Sequence, residues 1–225
     1  MRVRYHENSI APMASHPLPR LWRRLRERLR PEPIATADAL KEFVQERASL
    51  IAQKCAIDYV RGKTGLASYA LFTEKPFLDA LEVCRWETFV TILGDLLIVA
   101  EGHLRAHVAA EQRARFQEAL LAMYSAVLAA LPVPAYRPDG WGDAIAAFTL
   151  RLNTVGLGEP KTALDVADHS AKRLFDTLPI HISMRRLDKE VVYGAVRFRM
   201  IAVSQEMQRR FRADELVGGL LAAKM

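Results

Sequence analysis

Residues 76–107 read PFLDALEVCRWETFVTILGDLLIVAEGHLRAH. A proline can open a helix in its first turn, and no further proline or turn cluster interrupts the run. Read as one helix at 1.5 Å rise per residue, the stretch would be about 48 Å long. Trp86, Phe89, Ile92 and Leu96 recur at helical spacing and share their side with Glu82 and Arg85. Helical-wheel placement puts Glu87, Thr91, Gly94, Asp95, Glu101 and Arg105 on the opposite side, which is expected to be solvated or interfacial. The apolar segment Phe89–Ala100 is a dozen residues long and contains Asp95. That is short of the roughly 20 residues needed to cross a bilayer, so it reads as a core helix.

The flanking sequence repeats this pattern. A helix is expected over about 37–61, capped by Thr36, with Leu40, Phe43, Val44, Leu50, Ile51 and Cys55 as its stripe. Gly62 and Gly65 end it, and Tyr69, Leu71 and Phe72 look anchored in the following loop. Further helices are expected over about 110–131, 143–154 and 160–178, separated by Pro132-Val133-Pro134 and by Gly156 and Gly158. A last helix over about 186–216 is apolar nearly all round between Val191 and Met207, and is expected to be central. Residues 179–184 are the one strand candidate, and no repeat of 20–50 residues occurs. The fold class is therefore all-α: a single helical-bundle domain of six or seven helices over residues 34–225.

Ahead of that domain, residues 1–16 lack periodicity and are expected to be a disordered extension. Residues 17–33 read as a basic amphipathic arm helix with a proline stop. Leu18, Leu21, Trp22, Leu25 and Leu29 form its apolar edge, and Arg20, Arg23, Arg24, Arg26, Arg28 and Arg30 its coat, against Glu27. Such an element suits an anionic membrane surface or an acidic protein partner, and could also serve a homo-oligomer. The chain of 225 residues has a net charge of +6, much of it in this arm. The start shows no apolar segment of a secretory signal, and Met13 is a second candidate start. Cys55 and Cys84 both fall in helical apolar patterns and read as reduced core thiols, which points to a cytoplasmic protein, peripheral to a membrane if the arm reaches one.

Chemistry-bearing constellations are sparse. If the helices around residues 37–61 and 76–107 form an antiparallel hairpin, Asp58 and Arg61 approach Glu82 and Arg85. That cluster is either a structural ion-pair set or an inter-helix polar pocket in which the arginines hold an anionic ligand. His103, His107 and Glu111 lie one turn apart and form the one metal-ligand spacing, without the glutamate base of HExxH. The more economical reading places these histidines at a helix end, and no cofactor is expected. Asp165 and His169 read as a surface pair, with Asp168 and Ser170 beside them. Gly62-Lys63-Thr64 and Gly156-Leu157-Gly158 lack the strand and glycine context of phosphate loops. Arg197, Arg199, Arg209, Arg210 and Arg212 leave a nucleic-acid-associated regulator as a further class, without a helix-turn-helix or stacking platform to support it. The sequence thus points to a non-enzymatic binding or assembly protein, with a ligand-binding or catalytic pocket as the alternative.

Overall fold

The computed structural model describes residues 32–222. The extension expected over residues 1–16, the arm helix, and the contact residues Leu18 to Leu29 assigned to it lie outside the described residues. The helices below belong to one compact unit, Pro33–Met225. In chain order they are α1 (Ala37–Thr64), the single turn α2 (Ser68–Leu71), α3 (Lys75–Leu104), α4 (Arg113–Ala129), α5 (Gly142–Gly156), α6 (Ala163–Thr177), the single turn α7 (Ile182–Arg185), α8 (Lys189–Arg210) and α9 (Ala213–Ala222). The fold is all-α. Among the described residues the only β-type pairing is an isolated bridge between Ile34 and Phe211, and the 179–184 candidate forms a turn leading into α7.

Local chemistry sets the ends. Thr36 accepts from the Ala39 N–H at 3.2 Å to cap α1. Gly65 closes α1 with φ +54°, a conformation that costs glycine little. Thr162 and Asp165 form a reciprocal capping box at the start of α6. The expected last helix is two: Phe211 leaves the helix with ψ 131°, and its N–H and the Arg212 N–H take part in bonds that end α8 and pin Ile34.

The expectation of a central last helix is corrected. The central element is α3, which packs against α1, α4, α5, α6 and α8. From Glu87 to Glu101 every residue but Thr91 is buried. Of the solvated or interfacial face expected for this side of the helix, the packing excludes the solvated alternative: Glu87, Asp95, Glu101 and Arg105 are 5 %, 0 %, 2 % and 8 % exposed. The polar side of α3 faces α5, α6 and the loop between α4 and α5 rather than water. Two backbone approaches show how closely they pack. Phe148 of α5 lies over Gly94 and stacks on Tyr124 of α4 at 4.3 Å, and a Cβ on Gly102 would meet the Lys161 carbonyl oxygen at 2.5 Å. By contrast α8 keeps an outer face, with Val191 65 % and Phe198 74 % exposed. No helix among the described residues is long and apolar enough to cross a membrane.

Candidate functional site

Helices α1 and α3 run antiparallel and leave a groove of about 480 Å³ between them. Its floor is apolar, formed by Ala52 of α1 with Leu78, Leu81, Trp86 and Phe89 of α3 and Leu131 beyond α4. Gln45, Ser49 and Gln53 line it from α1, and Glu82 and Arg85 from α3. The volume is in the range of small-ligand sites, and the mix of an aromatic floor with a few polar groups is the composition such sites use. Trp86 is backed by edge contact with Phe89 and by Trp141, each with ring centroids 6.0 Å apart.

Two of the four expected pocket residues therefore meet there, and two do not. Asp58 accepts from Arg199 of α8 at 3.0 Å. Arg61 lies over the Phe72 ring, 5.7 Å from its centroid. The hairpin exists, but the core stripe of α1 turns Asp58 toward α8, so the four charges form no single cluster. His103 bonds Ser204 at 2.9 Å, and burial holds its imidazole below the usual histidine range against the opposing effect of the Ser204 contact. His107 pairs with Asp214 at 2.8 Å, and Glu111 is exposed on a separate 3-10 turn. No group of three metal-binding side chains occurs among the described residues.

The surface pairing expected for Asp165 and His169 is also corrected. Asp165 is occupied by the Thr162 cap, and Asp168 takes a two-bond contact from Arg197 at 2.6 and 2.8 Å. His169 instead approaches Asp95 of α3, its Nδ1 3.3 Å from Oδ1. Arg151 of α5 lies 2.5 Å from the same oxygen, and the Ser170 hydroxyl donates to Oδ2. A buried carboxylate that orients an imidazole is the arrangement general bases use. Here Ser170 is fully buried and bound to that same carboxylate, so it is not placed as a nucleophile.

Two further buried carboxylates sit above and below Asp95 on α3. Glu87 accepts from Arg137 at 2.6 and 3.1 Å, from Tyr136 at 3.1 Å, and from Arg173 of α6. Burial opposes its ionisation, but the two guanidiniums outweigh this and hold its carboxyl below the usual range. Arg137 also bonds Asp143 at 2.6 Å and covers the Trp141 ring at 4.7 Å. Glu101 binds Arg105 one turn on. Sequence reading missed these partners because Arg137, Arg151 and Arg173 lie 50 to 86 residues from their acids and carry no local pattern. The one available signal was the apolar residues on all sides of α3 between Phe89 and Ala100.

Comparison with models of protein families, with curated proteins and with solved structures finds no match to this chain.

Proposed function

We propose that this chain is a non-enzymatic binding or assembly protein whose basic N-terminal segment contacts an anionic surface, a membrane or an acidic protein, while the helical domain serves as a rigid body. The observation that carries this reading is the distribution of charge. Residues 1–33 hold eight arginines and three glutamates, hence +5 of the chain's +6. The remaining residues hold 24 cations and 23 anions, hence +1. In the helical domain the buried carboxylates Glu87, Asp95 and Glu101 each meet arginine within it, which supports a structural use of those charges. An arginine near an anionic leaflet contributes about 1 kcal/mol, and the leucine/tryptophan edge adds apolar burial.

Sedimentation with phosphatidylserine vesicles tests this reading. The full chain binds at low salt, and binding falls as salt screens the attraction. Changing Leu21, Trp22 and Leu25 together to serine abolishes it. Binding that survives the triple change unaltered overturns the assignment to the arm, and absence of wild-type binding both to these vesicles and to poly-glutamate overturns the reading as a whole.

The α1/α3 groove favours a second reading, a ligand site in which Arg85 holds an anionic group above the Trp86 floor. Arg85 is exposed, so Arg85→Met leaves the fold intact. Under this reading, retained Trp fluorescence response to small aromatic carboxylates in wild type, lost in Arg85→Met, identifies the groove as the site.

A further inference from the structure

The α1/α3 groove presents two opposite charges from one helix face. Glu82 and Arg85 stand one turn apart on α3, on the side that also carries Trp86 and Phe89, and all four line the groove. Elsewhere on α3 the acids Glu87, Asp95 and Glu101 each hold an arginine. Glu82 and Arg85 do not pair with each other, and neither has an ion-pair partner among the described residues. The side chains of Gln45, Ser49 and Gln53, which line the groove from α1, likewise have no hydrogen-bond partner among the described residues. The groove therefore offers an acid, a base and three neutral polar groups, none of them satisfied from within the domain.

An occupant has to answer both charges. An anion held by Arg85 alone lies beside the Glu82 carboxylate, and a cation held by Glu82 alone lies beside the guanidinium, so one attraction is offset by one repulsion. A ligand that carries a carboxylate and an ammonium on neighbouring atoms meets both. Side chains three residues apart on a helix have Cβ atoms about 5–6 Å apart, close enough for their tips to converge on such a pair. The floor sets the rest of the molecule. Trp86 is fixed by its contacts with Phe89 and Trp141, so a ring can pack on it at little ordering cost. Leu78 and Leu81 offer no charge to a further ionic group. At about 480 Å³ the groove lies in the lower half of the range for small-ligand sites, about 300–1,000 Å³, which suits a single residue better than a peptide.

We propose that the α1/α3 groove binds a free α-amino acid with an aromatic side chain, its carboxylate on Arg85, its ammonium on Glu82 and its ring on Trp86. Gln45, Ser49 and Gln53 supply neutral donors and acceptors to the same two groups. This assignment rests on the groove being a ligand site at all, and adds to that site its second charge.

Calorimetric titration of the full chain near neutral pH, where both ligand groups are ionised, tests it with L-phenylalanine and its part-structures. Phenylpropanoate lacks the ammonium, phenylethylamine the carboxylate and glycine the ring. Phenylalanine binds with a dissociation constant between about 10 µM and about 1 mM, and each part-structure binds at least about tenfold more weakly. Glu82→Gln removes the preference over phenylpropanoate, and Arg85→Met the preference over phenylethylamine. Both positions are exposed, so an unchanged circular dichroism spectrum shows that these losses are losses of recognition. Binding of none of the probes overturns the groove as a ligand site and the amino-acid assignment with it. A part-structure that binds as tightly as phenylalanine, and is lost in Arg85→Met or Glu82→Gln, keeps the groove as a site and overturns the amino-acid assignment alone. A preference that either variant leaves unchanged overturns the assignment as well.

Discussion

Glu101 and Arg105 stand one turn apart at the end of α3, joined by hydrogen bonds of 2.7 and 2.8 Å, and Arg105 donates onward to the carbonyls of Val155 and Gly158 at 2.9 and 2.5 Å. The guanidinium thus satisfies a buried carboxylate through Nε and Nη2 and, through Nη2 and Nη1, ties the end of α3 to the last turn of α5 at Val155 and to Gly158 just beyond it. Removing only the base strands the acid. Arg105→Met is expected to destabilise the fold by roughly 3–5 kcal/mol, the cost of an uncompensated buried charge. For a chain of this length that lowers Tm by about 10 °C. Pairing it with Glu101→Leu recovers much of the loss. Thermal and urea denaturation of the three variants checks this, and a single variant as stable as wild type contradicts it.

Gly102 marks where α3 and the segment leading into α6 come closest. A methyl group there would sit 2.5 Å from the Lys161 carbonyl oxygen, a backbone atom that cannot rotate away. Gly102→Ala is expected to cost about 1–3 kcal/mol through displacement of the backbone. Gly194→Ala is the matched control, since its Cβ meets open space; it should stabilise the fold by about 0.5–1 kcal/mol through helix propensity. Opposite signs of the two changes in urea unfolding are the expected result.

Acid lability should centre on Glu87. Its carboxyl is held below the usual range, so the unfolded chain binds its proton more readily than the folded one. The stabilisation is therefore fully present above the ordinary glutamate range near pH 4.5 and is lost as pH falls through the lowered folded value. Glu206, held down by Arg47 and Arg210 against the cost of burial, acts in the same direction. Glu87→Gln should flatten the fall in stability between about pH 5 and pH 3 and lower stability at pH 7 by about 3 kcal/mol. An unchanged slope in acid denaturation of that variant rules out Glu87 as the main contributor.

The two thiols should be inert in the folded protein. Burial raises Cys55 and Cys84 to about 11 each, and both are free. The reactive thiolate is then scarce at neutral pH. Native protein should react with a disulfide reagent more than about tenfold slower than protein in denaturant, at both sites. Rapid native labelling of either one would mean that α1 or α3 opens locally.

Much of the architecture was legible in the residues alone. The 3.6-residue rhythm of Leu40, Val44 and Ile51, the Thr36 cap, and the proline and glycine stops place most helices where they occur, because these signals act within a few residues. What lay beyond them was the choice of partners. Whether Asp95 faces water or the core depends on α5 and α6 bringing Arg151 and Ser170 to it, and a wheel drawn on one helix carries no such information. The same limit applies to the groove: Glu82 and Arg85 share a side by their spacing, but only the α1–α3 crossing sets Gln45, Ser49 and Gln53 opposite them and sends Asp58 to Arg199. Local periodicity therefore determined which segments are helical and where most of them stop, but not the break at Phe211 that divides the last one, which the pairing with Ile34 accompanies. Tertiary packing alone decided which helix is central and which acids are buried against which arginines, because burial is a property of neighbours distant in the chain.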